Sequence, residues 1–300
     1  MNAPVRRVGV IGTGAMGGGA VQSLVRAGFV TLARDIRAEA QDLAVRHGAL
    51  PTASAADLAR TADAVIILVV DAEQVETVLF GADGVTTAQP STGIVLVSST
   101  VDPAYVGELA PRLAARGIAL VDAPVSGGPA KAAAGTMTMM IAGDADACAR
   151  MHPVLERITG QLFALGPRAG DASTFKIVNN LLAAANLAAG AEALALAQAA
   201  GLDLRRVFDV VAASSGASWI FGDRVPRALD GDYGARAATT LLCKDAGIAV
   251  TVAERLGVDA PFARLARAMF ADAVAAGCGD DDDAVLIRRA LEAAGRRAGR

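Results

Sequence analysis

The chain lacks the raw material for several common kinds of site. Aromatic residues make up 4% of its 300 residues, which leaves few stacking platforms for nucleic-acid bases. Its 28 Lys+Arg nearly balance 31 Asp+Glu, for a formal net charge of −3. There is thus no basic footprint for nucleic acid or an acidic membrane surface. The three cysteines, Cys148, Cys243 and Cys278, have no C-x-x-C spacing; they suggest neither a disulfide framework nor a zinc site and fit a reducing compartment. Two histidines, His47 and His152, are too few for a His-based metal centre. The acidic run Asp280–Asp283 lacks EF-hand spacing and reads as a solvated turn capping the last helix, so no metal is expected. The N-terminus carries no signal-peptide h-region. The longest apolar run, Leu181–Ala200, is mostly alanine and is interrupted by Asn186, Glu192 and Gln198. It reads as a buried helix and not as a membrane span. A cytoplasmic protein with no nucleic-acid or membrane partner is expected.

What is present is apolar and alternating. With 53% hydrophobic residues the chain can bury a large core, and more than one domain is expected. Arg7–Ile11 reads as a buried strand that runs into Gly12-Thr13-Gly14-Ala15-Met16-Gly17. A helix follows to about Ala27, then a strand over Phe29–Ala33, then Asp35. Strand, glycine turn, helix, strand and acid are the order of a dinucleotide-binding βαβ unit. Gly12 permits the tight turn, Gly14 lets backbone approach a pyrophosphate, and Gly17 lets the helix pack on the strand. The helix N-terminus supplies N–H groups and a positive dipole end. Asp35 suits the adenosine ribose hydroxyls and would repel a 2′-phosphate, which favours NAD. Arg34 and Arg37 beside it keep NADP open.

Further strands fit Ala64–Val70, Gly93–Val97, Ile118–Asp122, Met137–Ala142 and Gln161–Leu165, with helices over Glu73–Phe80, from Asp102-Pro103 to Arg116, and over Ala145–Thr159. Val69 and Val70, Ser99-Thr100 and the turn Ser126-Gly127-Gly128 all follow strand ends, the edge at which open α/β sheets bind ligands. The Ser-Gly-Gly turn offers a hydroxyl and uncovered N–H groups suited to a carboxylate; such turns also serve purely structural ends. Gly166–Gly170 breaks the pattern. The expected architecture is a Rossmann-type doubly wound parallel sheet over residues 1–167, followed by an all-helical domain over 168–300. The first C-terminal helix, from Ser173 to about Ala200 and capped by Ser173 or Asp171, would be about 40 Å long. Further helices fit Leu204–Ala213, Ala237–Leu256, Pro261–Ala276 and Asp283–Ala294. Lys176 and Asn180 stand one turn apart on its first part. Alone, Lys176 reads as a snorkelling lysine on a core helix. After a complete cofactor domain, it reads as a proton-transferring group.

The whole set resembles the β-hydroxyacid dehydrogenase family, whose members include 3-hydroxyisobutyrate dehydrogenase. The matching pieces are Gly12-x-Gly14-x-Met16-Gly17; Ser99-Thr100 with Pro103; Asp122 to Gly128 with Gly135-Thr136; Lys176-x-x-Asn179-Asn180; and Lys244-Asp245. The resemblance implies that Lys176 is catalytic. It further implies that Ser126, Gly127, Gly128 and Asn180 hold a small hydroxy-acid substrate, and that Thr100 and Lys244 contact cofactor or substrate near the nicotinamide. It also implies a homodimer or homotetramer. The stretch from Ser218 to Tyr233, Lys244-Asp245 and Asp282–Val285 resemble the L-threonate branch, whereas Asn179-Asn180 resembles the hydroxyisobutyrate-type members; Ala172 stands where a second glycine is usual. A lysine accepts a proton only if its pKa falls from about 10.4 towards neutrality, by burial or a neighbouring cation, and Lys244 is the candidate cation. The same residues would serve a semialdehyde or glyoxylate reductase. A non-catalytic NAD-binding scaffold would have no need of Lys176 and Asn180 together. For the only tryptophan, Trp219, a place in the helical-domain core competes with a place in the substrate pocket beside Phe221 and Tyr233.

Overall fold

Strands made of uninterrupted β-branched and aliphatic residues are buried on both faces and collect in the middle of a parallel sheet. The computed structural model, which describes residues 4–88 and 92–298, bears this out. Its first part runs β1 (Arg7–Ile11), α1 (Ala15–Arg26), β2 (Val30–Arg34), α2 (Ala38–Arg46), β3 (Leu50–Pro51), α3 (Ala55–Thr61), β4 (Ala64–Ile67), α4 (Ala72–Phe80), β5 (Ile94–Val97), α5 (Pro103–Ala114) and β6 (Ala119–Asp122). It continues with β7 (Val125–Ser126), α6 (Gly128–Ala134), β8 (Met137–Gly143), α7 (Ala145–Leu155) and β9 (Thr159–Ala164). The sheet order is 3-2-1-4-5-6-8-7, with β9 beside β8. The six strands from β3 to β6 are parallel, whereas β8 runs antiparallel to β6 and β7.

The two-residue period of a strand sends alternate side chains to opposite faces, and two cores result. Val8, Val10, Ile66, Leu96 and Val121 pack with Val21 and Leu24 of α1 and Met151 and Val154 of α7. Val65, Ile67, Val95, Val97 and Leu120 pack on the other face with Leu58, Val75, Leu79, Val106 and Leu109 from α3, α4 and α5.

The second part is helical: α8 (Asp171–Ala199), α9 (Leu204–Ala212), α10 (Trp219–Leu229), α11 (Thr239–Arg255), α12 (Pro261–Ala273) and α13 (Val285–Ala298). The expected boundary at Pro167 falls in the loop before α8. The compact units divide further on, the first reaching to Lys176 and the second starting at Ile177, because the first turn of α8 is bonded to the sheet. In the second unit Ala184, Leu187, Ala191 and Leu194 of α8 pack with Ile220, Phe221 and Val225 of α10, Leu242 and Ala246 of α11, Phe270 of α12 and Val285–Ile287 of α13. By length and composition α8 could cross a membrane, but that face of it lies in this core.

Three expectations change. Helix α10 was not among the expected helices: Ser218 caps it by accepting from the Phe221 N–H, and Ile220, Phe221, Arg224, Val225 and Ala228 form its buried face. Trp219 itself is 61% exposed and Phe221 is buried, so the tryptophan is not a core residue. The acidic run before α13 is not a solvated turn, since Asp282 and Asp283 are buried. Asp282 accepts from the N–H groups of Arg236, Ala237 and Ala284 and pairs with Arg227 at 3.1 Å. Asp283 accepts from Arg224 Nε and Nη2 at 2.5 and 3.1 Å.

Candidate active site

One row of register partners crosses the first unit: Arg34, Ile11, Ile67, Val97 and Asp122. Each is the last residue of its strand, so the loops that follow leave side by side at the carboxyl edge of the sheet. They carry Asp35, Gly12–Gly17, Val69 and Val70, and Thr100, and the loop after β6 leads into Ser126–Gly128. The cofactor and substrate residues expected in the first unit therefore share one edge.

The glycine turn is closely built. Gly12 adopts φ +87°, and a Cβ on it would lie 2.4 Å from the Leu68 carbonyl oxygen; a Cβ on Gly17 would lie 1.8 Å from the Gly12 carbonyl oxygen. Gly14 caps α1 with no side-chain bond, and the first turn holds no acid. The N–H groups there remain open to an anion. Ala15 is exposed and Met16 half-buried, while Thr13 is buried. The Thr13 N–H is committed to Asp35 Oδ2 at 2.7 Å, so it ties the turn to the acid and is not offered to phosphate. Asp35 Oδ1 accepts from Arg37 N at 2.9 Å and Nε at 3.3 Å. Burial opposes the charge of Asp35, but the Arg37 and Thr13 hydrogen bonds and the Arg37 charge outweigh it and hold the carboxyl below its ordinary value. Gln41, which the sequence pattern did not single out, accepts from Asp35 N and Arg34 Nη1. Arg34 is thereby pinned back, while Arg37 Nη2 lies 2.9 Å from where a Gly14 Cβ would be. An uncapped helix start, a turn with no room for side chains and an ionised acid at the end of β2 fit a dinucleotide.

Val69 N donates to Ser99 Oγ at 2.9 Å, and Ser99 Oγ in turn reaches the Ile67 carbonyl at 3.5 Å. Ser99 thus stitches the ends of β4 and β5 together beside half-buried Thr100. Val70, 49% exposed, gives its N–H to Gln74 Oε1. Ser126 ends β7, and Gly127 and Gly128 follow with φ of +124° and +78°, which side chains rarely tolerate. The next helix, α6, packs on α1.

Along α8, Lys176 and Asn180 are 8% and 6% exposed. Ala172 is fully buried and packs with Met140, Ala142 and Leu165, a niche that a glycine would leave partly empty. In the second unit Asn180 Nδ2 donates to Asp245 Oδ2 at 2.6 Å, Asn179 Nδ2 donates to Asn180 Oδ1 at 3.0 Å, and Lys244 Nζ pairs with Asp245 Oδ1 at 2.7 Å. Asp245 therefore joins Asn180 to Lys244. It also offsets the charge of Lys244, which weakens the expectation that this lysine acts as a bare cation.

A parallel sheet of order 3-2-1-4-5-6 with this turn and acid defines a class, the proteins that bind a dinucleotide at the carboxyl edge of the sheet. Comparison with known proteins narrows it. Residues 7–166 match the model of the NAD binding domain of 6-phosphogluconate dehydrogenase, and residues 170–290 match the model described as NAD-binding of NADP-dependent 3-hydroxyisobutyrate dehydrogenase. An L-threonate dehydrogenase of Cupriavidus necator is 44% identical over 283 residues, 94% of this chain and 95% of that protein. An NAD-dependent L-serine dehydrogenase of Pseudomonas aeruginosa is 32% identical over 273 residues, covering 89% of this chain and 91% of that one. The crystal structure of a 3-hydroxyisobutyrate dehydrogenase from Salmonella typhimurium superposes with a TM-score of 0.86 at 41% identity, over 94% of this chain and 99% of that chain. The chain belongs to the 3-hydroxyisobutyrate dehydrogenase family. It is an NAD-dependent hydroxy-acid dehydrogenase.

Proposed function

We propose that the substrate is a short polyhydroxy acid of the L-threonate kind and that Lys176 is the general acid/base. The observation that carries the second part is a buried lysine on α8 with buried Asn180 one turn further on. Support for the first part is the identity of 40–44% to L-threonate dehydrogenases across 94% of the chain. A nicotinamide dinucleotide, when bound, would supply the acceptor for the hydride that leaves the carbinol carbon. The turn from Gly14 to Gly17 at the start of α1 holds the pyrophosphate, Asp35 the adenosine ribose, and Val69, Val70 and Thr100 line the edge beside them. Ser126 Oγ and the N–H groups of Gly127 and Gly128 hold the substrate carboxylate. Lys176 Nζ takes the hydroxyl proton. Asn180 keeps one amide hydrogen and one lone pair for substrate after its bonds to Asp245 and Asn179.

A panel of L-threonate, D-glycerate, 3-hydroxyisobutyrate, L-serine and 4-hydroxybutyrate, followed by NADH formation, tests the substrate. L-threonate is expected to give the highest kcat/KM; a higher value for 3-hydroxyisobutyrate would overturn that choice. A homo-oligomer in the cytoplasm completes the proposal. Phe175, Val178, Leu182 and Leu196 are each more than half exposed and recur at helical spacing along one side of α8, a face suited to a second copy of the chain.

A further inference from the structure

The first turn of a helix normally has its free N–H groups capped by a side chain just before it. Helix α8 does otherwise. Asp122, the last residue of β6, is fully buried. Its Oδ2 accepts from Gly170 N at 2.9 Å and Ser173 N at 2.8 Å, and its Oδ1 accepts from Ser173 Oγ at 2.6 Å. The nearer acid, Asp171, pairs instead with Arg168 at 3.1 Å. Gly170 leaves no freedom: it adopts φ +98°, and a Cβ there would lie 2.5 Å from the Pro103 carbonyl oxygen. Burial pushes the Asp122 carboxyl above its ordinary value, against the pull of the Ser173 and Gly170 hydrogen bonds.

The same carboxylate stands at the end of the strand that leads into Ser126–Gly128, and Lys176 follows Ser173 by three residues on the helix. We infer that Asp122, acting through Ser173, is the positioning residue of Lys176: it fixes the first turn of α8 to β6 and so sets where Nζ lies relative to the Ser-Gly-Gly turn. The inference rests on Lys176 being the acid/base. A misplacement of about 1 Å costs up to roughly 10²-fold in rate, so the effect belongs in turnover and not in binding.

Two variants of the full-length chain test this. Asp122→Asn replaces charge-assisted hydrogen bonds by neutral ones about half as strong, and Ser173→Ala removes the hydroxyl while sparing the backbone bonds. The expected result is a fall in kcat of about ten-fold or more for Asp122→Asn and several-fold for Ser173→Ala. The KM for the hydroxy acid and the Kd for NAD stay near wild type, and the limb of the kcat–pH profile set by the lysine moves. Wild-type kcat and an unmoved pH profile in either folded variant would overturn the inference, as would kcat and KM changing only in step with a lowered Tm. Lys176→Ala, assayed alongside, separates the two failures. If that variant keeps its turnover, the acid/base reading has failed. If it is inactive while both other variants behave as wild type, the positioning role alone has failed.

Discussion

Lys176 lies on an alanine- and leucine-rich helix and is only 8% exposed. Nothing in the helix periodicity separates such a lysine from one that snorkels; the motifs before and after it are what single it out. Asp35 was legible for a similar reason, since it follows the turn at the spacing that a ribose-binding acid requires. Its partners were not: Gln41 and Thr13 hold it through bonds that depend on how β2 and α2 meet. The same holds for Asp245, which is joined to Asn180 across 65 positions. A neutral side chain at position 35 removes the anion that repels a 2′-phosphate and leaves Arg37 beside the turn. Asp35→Ala is therefore expected to lower the ratio of kcat/KM for NAD over NADP by about ten-fold or more, measured with one substrate and both cofactors. An unchanged ratio would place cofactor choice elsewhere.

Strand–helix alternation was readable at the level of elements, because the two-residue period and the glycine stops are local signals. Helix α10 was missed because Pro226 and Gly222 interrupt it, although Ile220, Phe221, Val225 and Ala228 keep the helical period. The packing of α1 on α6 was not readable either. A Cβ on Gly19 would lie 2.6 Å from the Ala132 Cβ and 2.7 Å from Ala133 N, and Arg26 Nη2 donates to the Ala133 carbonyl at 2.8 Å. The helix that starts in the cofactor turn thus touches the one that starts in the Ser-Gly-Gly turn. Gly19→Ala is expected to push α6 away, raising the KM for the hydroxy acid several-fold and costing about 1–3 kcal/mol of stability, with the Kd for NAD unchanged by calorimetry. The acidic run before α13 looked solvated because charged runs usually are. Burial instead pushes Asp283 up to about 6, against the pull of the Arg224 guanidinium, with Asp282 alongside pushing it further up. The folded chain then binds that proton more tightly than the unfolded chain. The contribution is full below the ordinary aspartate pKa and is lost as pH rises through about 6. Asp283→Asn is expected to flatten this part of the Tm–pH curve; an unaltered slope would assign it to other groups.

For the molecule as a whole, the sequence indicated a cofactor domain followed by a helical one. The division between compact units fell inside α8 because Asp122 binds its first turn to the sheet. The exposed apolar side of that helix is the face on which the proposed homo-oligomer would pair. Leu182→Glu places a charge in the middle of the stripe and is expected to shift sedimentation towards the monomer, while an unaltered oligomer would move the interface off α8. The central claim is that Lys176 moves the proton, and single-turnover and steady-state kinetics of Lys176→Ala with NAD and L-threonate test it most directly. The expected result is a kcat lower by about 10² or more with the Kd for NAD near wild type; a variant that keeps most of its turnover would contradict it.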